Sequence, residues 1–412
     1  MFALVDANAF YCSAERIFDP ALRNKPLVVL SNNDGNAISR TDEAKALGIR
    51  MGQPAHELAP LRRQGLVLRS ANFALYGDIS ARVVDVLREH APALEVYSID
   101  ESFLDVRGIH HVIPWCDQLR ARVHRHTGIP CAVGIGNTKT LAKLGNRLAK
   151  TSGGVCQVSS SDSALATFDV GDVWGVGSAF GKHLAAHGIY TAAQLRDASG
   201  DLIRQIGGVV LARTQRELQG HPCLALEESP PSPKQIMVSR SFGQRVSDVD
   251  ALAQALSTFA QRACAKLRRH GLTTAAIGVF FSTDSFRPEM PQYHPSATIG
   301  LAHPTDDSRD VLAAVFAALR QRFRPGYAYK RAGVILYDLA AVADRQPDLF
   351  RQPVQSSPLM SHVDAINARF GRNTVTLASS LVHGMAPAWS MRQAARSPLY
   401  TTRIDQLPHA RC

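Results

Sequence analysis

The amino-acid sequence predicts a multidomain protein of the α+β class, and three observations support that prediction. The chain has 412 residues, too many for one ordinary hydrophobic core, so about two to four domains are expected. Strand-like and helix-like segments alternate along it, and some of the strands are joined by hairpin turns. Clustered prolines in Glu228-Ser-Pro-Pro-Ser-Pro233 indicate an extended linker between two such regions.

The elements before residue 90 follow from short apolar patterns. Residues 2–5 and 25–30 are apolar runs of strand length. Residues 31–35 predict a turn, because Asn and Gly tolerate positive φ. Residues 41–47 predict a short helix that ends at Gly48. Residues 75–88 predict a helix with one apolar face, formed by Ile79, Val83, Val86 and Leu87.

The elements after residue 90 include a hairpin and a buried strand. Residues 94–97 and 103–106 predict two strands, and the turn between them contains Asp100 and Glu101. Residues 131–135 predict an apolar strand, after which Asn137 or Thr138 caps a helix through Lys150. Further along, the sequence predicts a helical region over 168–223, a mixed region over 235–343 and a proline-dotted, basic tail over 344–412.

The charge distribution favours a polyanionic partner. The formal net charge is +11 and the pI is about 9.5. Residues 236–343 carry 13 Lys and Arg against 8 Asp and Glu, and residues 344–412 carry 8 against 4, so +9 of the +11 lies in these two segments. A localised excess is typical of a nucleic-acid surface, although a solvated basic face is the simpler alternative.

Other function classes are disfavoured by composition. The seven cysteines include no Cys-x-x-Cys pair, so neither a zinc site nor a disulfide framework is indicated, and reduced thiols in a cytoplasmic protein are expected. The N-terminus has no basic start followed by an apolar run of signal length. No apolar stretch approaches the roughly 18 residues of a membrane span, so no membrane association is expected.

Three carboxylates are the candidates for metal-dependent chemistry. Asp6 ends the first predicted strand, and the adjacent pair Asp100 and Glu101 lies in a hairpin turn. Neighbours on a regular strand point to opposite faces, so an adjacent pair converges on one ion only at a turn. Hard oxygen ligands suit Mg²⁺, and two such ions can clamp an in-line phosphoryl transfer. On spacing alone, ordinary turn-forming and solvated roles remain open for all three.

Short motifs spaced along the chain form a series. They are Leu4-Val-Asp6-Ala-Asn8-Ala-Phe10-Tyr11, Leu30-Ser-Asn-Asn-Asp34-Gly, Glu43-Ala-Lys45-Ala-Leu-Gly48, Tyr97-Ser-Ile-Asp100-Glu101-Ser-Phe103, Gly134-Ile-Gly136-Asn-Thr-Lys139-Thr-Leu-Ala-Lys143, Asp172-Val-Trp174-Gly-Val-Gly177, Ser239-Arg-Ser-Phe-Gly243, Pro304-Thr-Asp-Asp-Ser-Arg309 and Ser397-Pro-Leu-Tyr400-Thr-Thr-Arg403. In order and spacing the series resembles Y-family translesion DNA polymerases of the UmuC type, the catalytic subunit of DNA polymerase V. Each motif is weak alone, but together they cover nearly the whole chain.

The resemblance implies a right-hand polymerase and a domain division. The expected parts are a ferredoxin-like palm, small fingers inserted in it, a helical thumb with a helix-hairpin-helix, a little-finger domain and a C-terminal tail. Their expected bounds are 1–18 and 79–167 for the palm, 19–78 for the fingers, 168–233 for the thumb, 235–343 for the little finger and 344–412 for the tail. The implied reaction is template-directed addition of dNMP to a primer 3′-end, with low fidelity and no proofreading, in translesion synthesis and SOS mutagenesis.

The resemblance also implies roles for single residues. Asp6, Asp100, Glu101 and the carbonyl of Ala7 would hold two Mg²⁺ ions. Phe10 and Tyr11 would lie under the incoming nucleotide, with Tyr11 as the steric gate against ribose, and core packing of this pair is an equal alternative. The remaining implied contacts are Ser39, Lys45 and Lys150 to the triphosphate, and Gly175 and Gly177 to a DNA phosphate through backbone N–H groups.

Two further patterns have simpler alternatives. Lys139, Lys143, Arg147 and Lys150 recur at helical spacing and form a basic stripe, for which a solvated helix face is the alternative. The Gly-x-Gly of the thumb is by itself only a tight turn. For both patterns, position within the motif series favours the functional interpretation.

The tail and the expected partners follow from the same resemblance. Gln346, Leu349 and Phe350 resemble a peptide that docks on the sliding clamp, although a Leu-Phe pair can also pack back on its own domain. Primer–template DNA, dNTP, a processed UmuD-like dimer and RecA are the other expected partners. Two other classes stay open: a cyclase-like nucleotidyl enzyme, which needs no basic C-terminal half, and a non-catalytic DNA-binding relative, which should lack one of the three carboxylates.

Overall fold

The structure is a computed structural model that describes residues 1–229, 231–344, 358–380 and 389–407. It divides into two compact units. The first unit contains Met1–Pro230 and Ala394–Cys412, and the second contains Pro231–Gln393. The chain therefore leaves the first unit near the proline-rich linker and returns to it at Ala394. None of the helices in the described ranges is long and apolar enough to cross a membrane.

The first unit contains two sheets and nine α-helices among its described residues. Its strands are β1 (Phe2–Ala7), β2 (Leu27–Leu30), β3 (Ala37–Arg40), β4 (Val67–Ser70), β5 (Leu94–Val96), β6 (Glu101–Asp105), β7 (Cys131–Gly136) and β8 (Val155–Val158). Its helices are α1 (Phe10–Phe18), α2 (Asp42–Ala46), α3 (Ala55–Leu58), α4 (Phe73–Arg88), α5 (Val112–Thr127), α6 (Lys139–Ala149), α7 (Ser178–Ala186), α8 (Ala192–Asp197) and α9 (Gly200–Leu218).

The larger sheet has the order β5-β6-β1-β7-β8. The first strand lies at its centre and runs antiparallel to both β6 and β7. Because side chains alternate along a strand, Ala3 and Val5 face the core that contains α1, α4 and α5. Leu4 faces the other way and packs with Phe103 and with Ala142 of α6. Asp6 has the same parity as Leu4, so it points toward the α6 side of the sheet.

Helix α6 lies unusually close to the sheet because β7 carries a glycine there. A Cβ at Gly134 would lie 2.0 Å from both the Ala142 carbonyl oxygen and the Asn146 nitrogen, so no larger residue fits without moving backbone. The buried Asn146 side chain donates hydrogen bonds to the Leu4 and Ala132 carbonyls, at 3.4 and 2.8 Å. These contacts fix α6 over the ends of β1 and β7, where Asp6 lies.

The smaller sheet has the order β3-β2-β4 and its own apolar core. Val28, Ile49 and Leu58 are completely or almost completely buried in that core. The turn predicted over residues 31–35 is present, with Asn33 at a φ of 62°. Thr41 caps the short α2, as its position before an acidic first turn favours.

Helices α7, α8 and α9 form a separate helical layer within the first unit. Leu184, Leu195 and Leu211, one from each helix, are completely buried and share a core with Leu141 of α6. Helix α9 departs from helical geometry at Gly207 and Gly208. The predicted helical region after residue 168 is thus confirmed, and its core continues the apolar face of α6.

The second unit is a four-stranded antiparallel sheet covered by helices. Its elements are β9 (Ile236–Val246), α10 (Val249–Arg269), β10 (Leu272–Ser282), β11 (Ser296–Thr305), α11 (Ser308–Arg322), β12 (Tyr329–Ala341) and α12 (Pro358–Phe370). The strand order is β11-β10-β12-β9. Helices α10 and α11 bury Phe259 and Val315 in the core of this unit. Arg268 of α10 forms an ion pair of 2.6 Å with Asp364 of α12.

Candidate active site

Asp6 and Glu101 are brought together by strand register. They are directly opposed partners on the antiparallel pair β1 and β6, so their side chains share one face of the sheet. The backbone N–H of Ala7 donates a 2.9 Å hydrogen bond to the carbonyl of Asp100. Asp6 and Glu101 therefore meet at one end of the central strand, and the backbone of Asp100 is joined to the same strand end through Ala7.

Lys143 of α6 and Lys150, which directly follows α6, cover the paired carboxylates. Lys150 Nζ lies 2.9 Å from Asp6 Oδ2, and Lys143 Nζ lies 3.0 Å from both oxygens of Glu101. The Lys143 ammonium also lies over the rings of Tyr97 and Trp174, at 4.7 and 5.2 Å from their centroids, a cation–π arrangement. Each of the two carboxylates therefore has one lysine partner.

The site lines a cavity of about 250 Å³ within the first unit. Asp6, Glu101, Lys143 and Lys150 contribute charged groups to it, and Trp174 contributes an aromatic wall. The cavity is large enough for several water molecules or ions, since one water takes roughly 30 Å³ of liquid volume. Acidic and basic groups thus meet in one accessible space.

Burial raises the pKa of Asp6 to about 6. The adjacent Lys150 ammonium opposes this rise, whereas the negative charges of Glu101 and Asp100 add to it. The raised pKa means that ionising Asp6 in the folded protein costs free energy unless further positive charge is present. A bound cation would remove that cost.

The donor set fits a hard divalent cation, although a ready-formed cluster is absent. Among the residues that the structure describes, no group of three or more His, Cys, Asp or Glu side chains is arranged to hold a metal ion. Asp100 accepts a 2.6 Å hydrogen bond from the Ser98 hydroxyl and lines a small cavity beside Phe10. Carboxylate and carbonyl oxygens are the ligands that Mg²⁺ prefers. Asp6, Glu101 and Asp100 supply such oxygens from neighbouring positions at one end of the paired strands.

Phe10 and Tyr11 open helix α1 beside the carboxylates. Phe10 is buried in the core, whereas Tyr11 is half-buried and stacks on Tyr76, with ring centroids 4.7 Å apart. Phe73 lies edge-on to Tyr11 at 6.0 Å. Burial and, to a smaller extent, the charge of Asp100 raise the pKa of Tyr11. Tyr11 thus rests on an aromatic cluster supplied by α4.

The two predicted phosphate contacts of the smaller sheet have different environments. Ser39 lies on β3 and is buried, and its hydroxyl accepts a 3.4 Å hydrogen bond from the N–H of Cys12. Lys45 lies on α2 and forms an exposed 2.7 Å ion pair with Asp42. Lys45 is therefore accessible to a ligand, while Ser39 connects β3 to α1.

The basic stripe of α6 is largely paired with acidic groups. Lys139 is only 3% exposed and forms an ion pair with Glu95, and Arg147 forms a 2.6 Å ion pair with Asp172. With the contacts of Lys143 and Lys150, all four cations have acidic partners. Lys139 and Lys143 are thus withdrawn from solvent, whereas Arg147 and Lys150 remain exposed, so a solvated face describes only half of this stripe.

Gly175 and Gly177 form the turn before α7. Gly175 has a φ of 87°, and a Cβ there would lie 3.0 Å from Thr214 Oγ1. The carbonyl of Gly177 accepts a 2.9 Å hydrogen bond from the N–H of Gly181, which begins the helix. The first N–H groups of a helix have no partners within it, so this turn presents donors suited to an anion.

Some residues of the site have no role that the sequence alone indicates. Lys143 recurs at helical spacing with Lys150, and this spacing is the feature of the sequence that could have indicated its place in the site. Tyr76 and Phe73 support Tyr11. They belong to an apolar pattern that is typical of ordinary core residues. The predicted clamp-binding residues Gln346, Leu349 and Phe350 lie outside the described residues.

Comparison with solved structures identifies the fold class. A Y-family DNA polymerase chimera of Dbh and Dpo4 matches with a TM-score of 0.68 at 21% identity, covering 83% of this chain and 100% of that chain. DinB from Sulfolobus solfataricus matches with a TM-score of 0.52 at 20% identity, over 82% and 98% of the two chains. The molecule has the fold of a Y-family DNA polymerase.

Proteins with similar sequences show to which family within this fold the chain belongs. ImpB of Salmonella typhimurium is 43% identical over 100% of both chains, and UmuC of Salmonella typhimurium strain LT2 is 42% identical over 99% of both. Models of the impB/mucB/samB family match residues 5–147 and, for its C-terminal domain, 233–349. Residues 357–410 match a domain of unknown function. The chain belongs to the impB/mucB/samB family of UmuC-like Y-family polymerases, and it is a DNA-directed DNA polymerase of the translesion type.

Proposed function

We propose that this polymerase adds dNMP to a primer 3′-end at the site formed by Asp6, Asp100 and Glu101, with two Mg²⁺ ions as cofactors. The observation that carries the proposal is the direct cross-strand pairing of Asp6 with Glu101, with Asp100 joined to the same strand end through the N–H of Ala7. The carbonyl of Ala7 would complete the oxygen ligands. When bound, the two ions would activate the attacking 3′-oxygen and stabilise the triphosphate leaving group.

Lys143 of α6 and the adjoining Lys150 reduce the cost of placing acidic side chains together in this site. Lys143 and Lys150 neutralise Glu101 and Asp6, which offsets part of the cost of burying neighbouring carboxylates. The Lys150 side chain is 42% exposed, so its flexible stem can turn from Asp6 toward an incoming triphosphate. Lys143 is held by two aromatic rings as well as by Glu101, so it should stay in place.

The nucleotide would lie over Phe10 and Tyr11. The Tyr11 ring rests on Tyr76, so its position is set by packing and not by solvent. A ring fixed there would occupy the space of a ribose 2′-hydroxyl and exclude rNTP by overlap. Ser39 and Lys45 are proposed to contact the triphosphate from the fingers, and exposed Lys45 is the more accessible of the two.

The protein would bind DNA through its phosphates, without recognising the base sequence. The turn at Gly175 and Gly177 offers backbone donors to a primer–template phosphate. The basic excess after residue 236 would supply the larger, salt-sensitive share of affinity. A fingers segment of about 60 residues, 19–78, leaves few side chains to close on the new base pair, which favours low fidelity and damaged templates.

The remaining proposals concern partners and location. The segment containing Gln346, Leu349 and Phe350 would dock on the sliding clamp, in the manner of an extended peptide whose apolar side chains enter a groove. A processed UmuD-like dimer and RecA would act with the polymerase in the SOS response. With these partners the enzyme would act in the cytoplasm.

The experiment that tests the site is primer extension by three isosteric variants. Asp6→Asn, Asp100→Asn and Glu101→Gln each remove one anionic ligand while nearly preserving shape. Each should abolish extension and leave primer–template binding within about twofold of wild type, because binding depends mainly on basic groups elsewhere. The matched control is Asp105→Asn at the far end of β6, where Asp105 pairs with Arg107, and it should extend primers normally. Normal extension by any one ligand variant removes that residue from the site.

A further inference from the structure

A segment far along the chain adds to the edge of the smaller sheet. We call residues 394–400 the strap. The N–H of Ser70, at the end of β4, donates to the carbonyl of Ala395 at 3.1 Å, and the N–H of Ala395 donates to the Ser70 hydroxyl at 2.9 Å. Ser70 and Arg396 form a parallel bridge. The strap is therefore held by main-chain pairing on an otherwise open strand edge.

The strap also satisfies two buried polar side chains. The Asn72 amide nitrogen donates to the Ser397 carbonyl, the Ser397 hydroxyl and the Pro398 carbonyl, at 3.2, 2.9 and 3.0 Å. The Ser397 hydroxyl in turn donates to Glu15 Oε1 at 2.9 Å. Asn72 and Glu15 are each only 1% exposed. Because buried polar groups are costly without partners, this pairing ties the strap to the protein interior.

The same two side chains support the aromatic cluster beneath Tyr11. Asn72 Oδ1 accepts a 3.4 Å hydrogen bond from the N–H of Leu75 and so caps α4. Glu15 Oε1 accepts a 2.8 Å hydrogen bond from the hydroxyl of Tyr76, the fully buried ring on which Tyr11 stacks. One carboxylate oxygen is thus shared by Ser397 of the strap and by Tyr76.

A second anchor lies on the next residues of the strap. The ring of Tyr400 stacks on Phe18 at the end of α1, with centroids 4.8 Å apart and planes at 15°. Helix α1 begins with Phe10 and Tyr11. The strap consequently contacts both helices that place the Tyr11 ring: α4 through Asn72 and α1 through Glu15 and Phe18.

We propose that Ser397 is a positioning residue for sugar selection, acting through Glu15 and Tyr76 on the Tyr11 ring. In this arrangement the strap holds Tyr76 against Tyr11 and limits the sideways movement of the gate. Loss of the Ser397 hydroxyl leaves Glu15 with one hydrogen bond fewer and loosens Tyr76. The proposal rests on the proposed role of Tyr11 in rejecting rNTP.

The test measures the ratio of kcat/KM for rNTP to that for dNTP in single-nucleotide primer extension by the full-length chain. Ser397→Ala should raise this ratio about three- to tenfold, the range expected when one buried hydrogen bond of ordinary strength is lost. Use of dNTP should stay within about twofold of wild type. Tyr76→Phe keeps the stacked ring, loses only the hydroxyl to Glu15, and should raise the ratio similarly; it also provides a second perturbation if Ser397→Ala folds poorly.

Two controls separate positioning from general stability. Ser379→Ala removes a hydroxyl that bonds Ser257 in the second unit, at 2.7 Å, and should leave the ratio at its wild-type value. In a Tyr11→Ala background, Ser397→Ala should change the ratio no further, because its effect passes through the ring.

The outcomes distinguish the two ideas. If Tyr11→Ala leaves the ratio unchanged, the gate role of Tyr11 fails and the positioning role of Ser397 fails with it. If Tyr11→Ala raises the ratio while Ser397→Ala and Tyr76→Phe do not, the strap inference is overturned and the gate stands. An equal increase from Ser397→Ala with and without Tyr11 also overturns it, since the effect would then not pass through the ring.

Discussion

Replacing Asp6 with Asn should stabilise the metal-free protein while abolishing its activity. Burial raises the pKa of Asp6 from its ordinary value of 3.8 to about 6, and its side chain is only 14% exposed. A difference of about two pKa units corresponds to about 3 kcal/mol. Asp6→Asn keeps the shape and the burial but has no charge to desolvate, so it should recover most of this free energy of unfolding.

The stability difference between Asp6→Asn and wild type should depend on pH. The folded state binds the Asp6 proton more tightly than the unfolded chain does. Protonated Asp6 therefore contributes fully to the free energy of unfolding below about pH 3.8, and this contribution is lost as pH rises through about 6. The stability advantage of Asp6→Asn should therefore be small near pH 4.5 and reach about 3 kcal/mol by pH 7 to 8. For a folding unit of this size that corresponds to roughly 6 to 12 °C in Tm.

The assay is thermal unfolding in EDTA from pH 4.5 to 8, following the transition of the first unit. Asp105→Asn is the matched control on β6, because hydrogen bonding to Arg107 holds the pKa of Asp105 below its usual range. That variant should lower Tm at neutral pH, the opposite sign. Added Mg²⁺ should stabilise wild type more than Asp6→Asn. A Tm for Asp6→Asn at or below wild type throughout the pH range in EDTA refutes the reasoning.

Further predictions concern Lys139 of α6, Tyr11 and the C-terminal tail. Lys139→Met leaves the buried carboxylate of Glu95 without its cation and should cost about 3 to 5 kcal/mol in denaturant unfolding; a loss under 1 kcal/mol would show that water or another group compensates. Tyr11→Ala should increase rNTP incorporation with dNTP use retained, measured in single-nucleotide extension, and an unchanged ratio would reduce Tyr11 to a packing residue. Replacing Leu349 and Phe350 with Ala should abolish clamp-stimulated synthesis and spare basal synthesis on short primers, whereas equal loss of both would indicate a folding role.

Local patterns predicted the parts of the site that depend on local structure. The first strand, the hairpin that contains Asp100 and the helix capped by Thr138 are confirmed. Two details differ: β1 continues through Asp6 to Ala7, and Glu101 is the first residue of β6 and not part of the turn. These features follow from side-chain alternation and capping chemistry, which act over a few residues. The convergence of Asp6 with Glu101 was predicted only as a possibility, because strand order and register are set by the whole core.

Features that depend on distant contacts were not predictable in this way. Lys139 belongs to a stripe of charged residues that resembles a surface, and only the presence of Glu95 across the fold explains its burial. The contact of Ser397 with Asn72 joins residues 325 positions apart and has no periodic signal. Helix α12 was also missed, since the tail was predicted only as a proline-dotted, basic stretch.

The return of the chain to the first unit at Ala394 has a genetic consequence. A nonsense codon at that position would delete 19 of 412 residues and spare every proposed metal ligand. The truncated product would nevertheless present Asn72 and Glu15 without their Ser397 partners and Phe18 without the Tyr400 ring. Such an allele should therefore behave as a polymerase with altered substrate choice and a less stable fold, and not as a silent shortening.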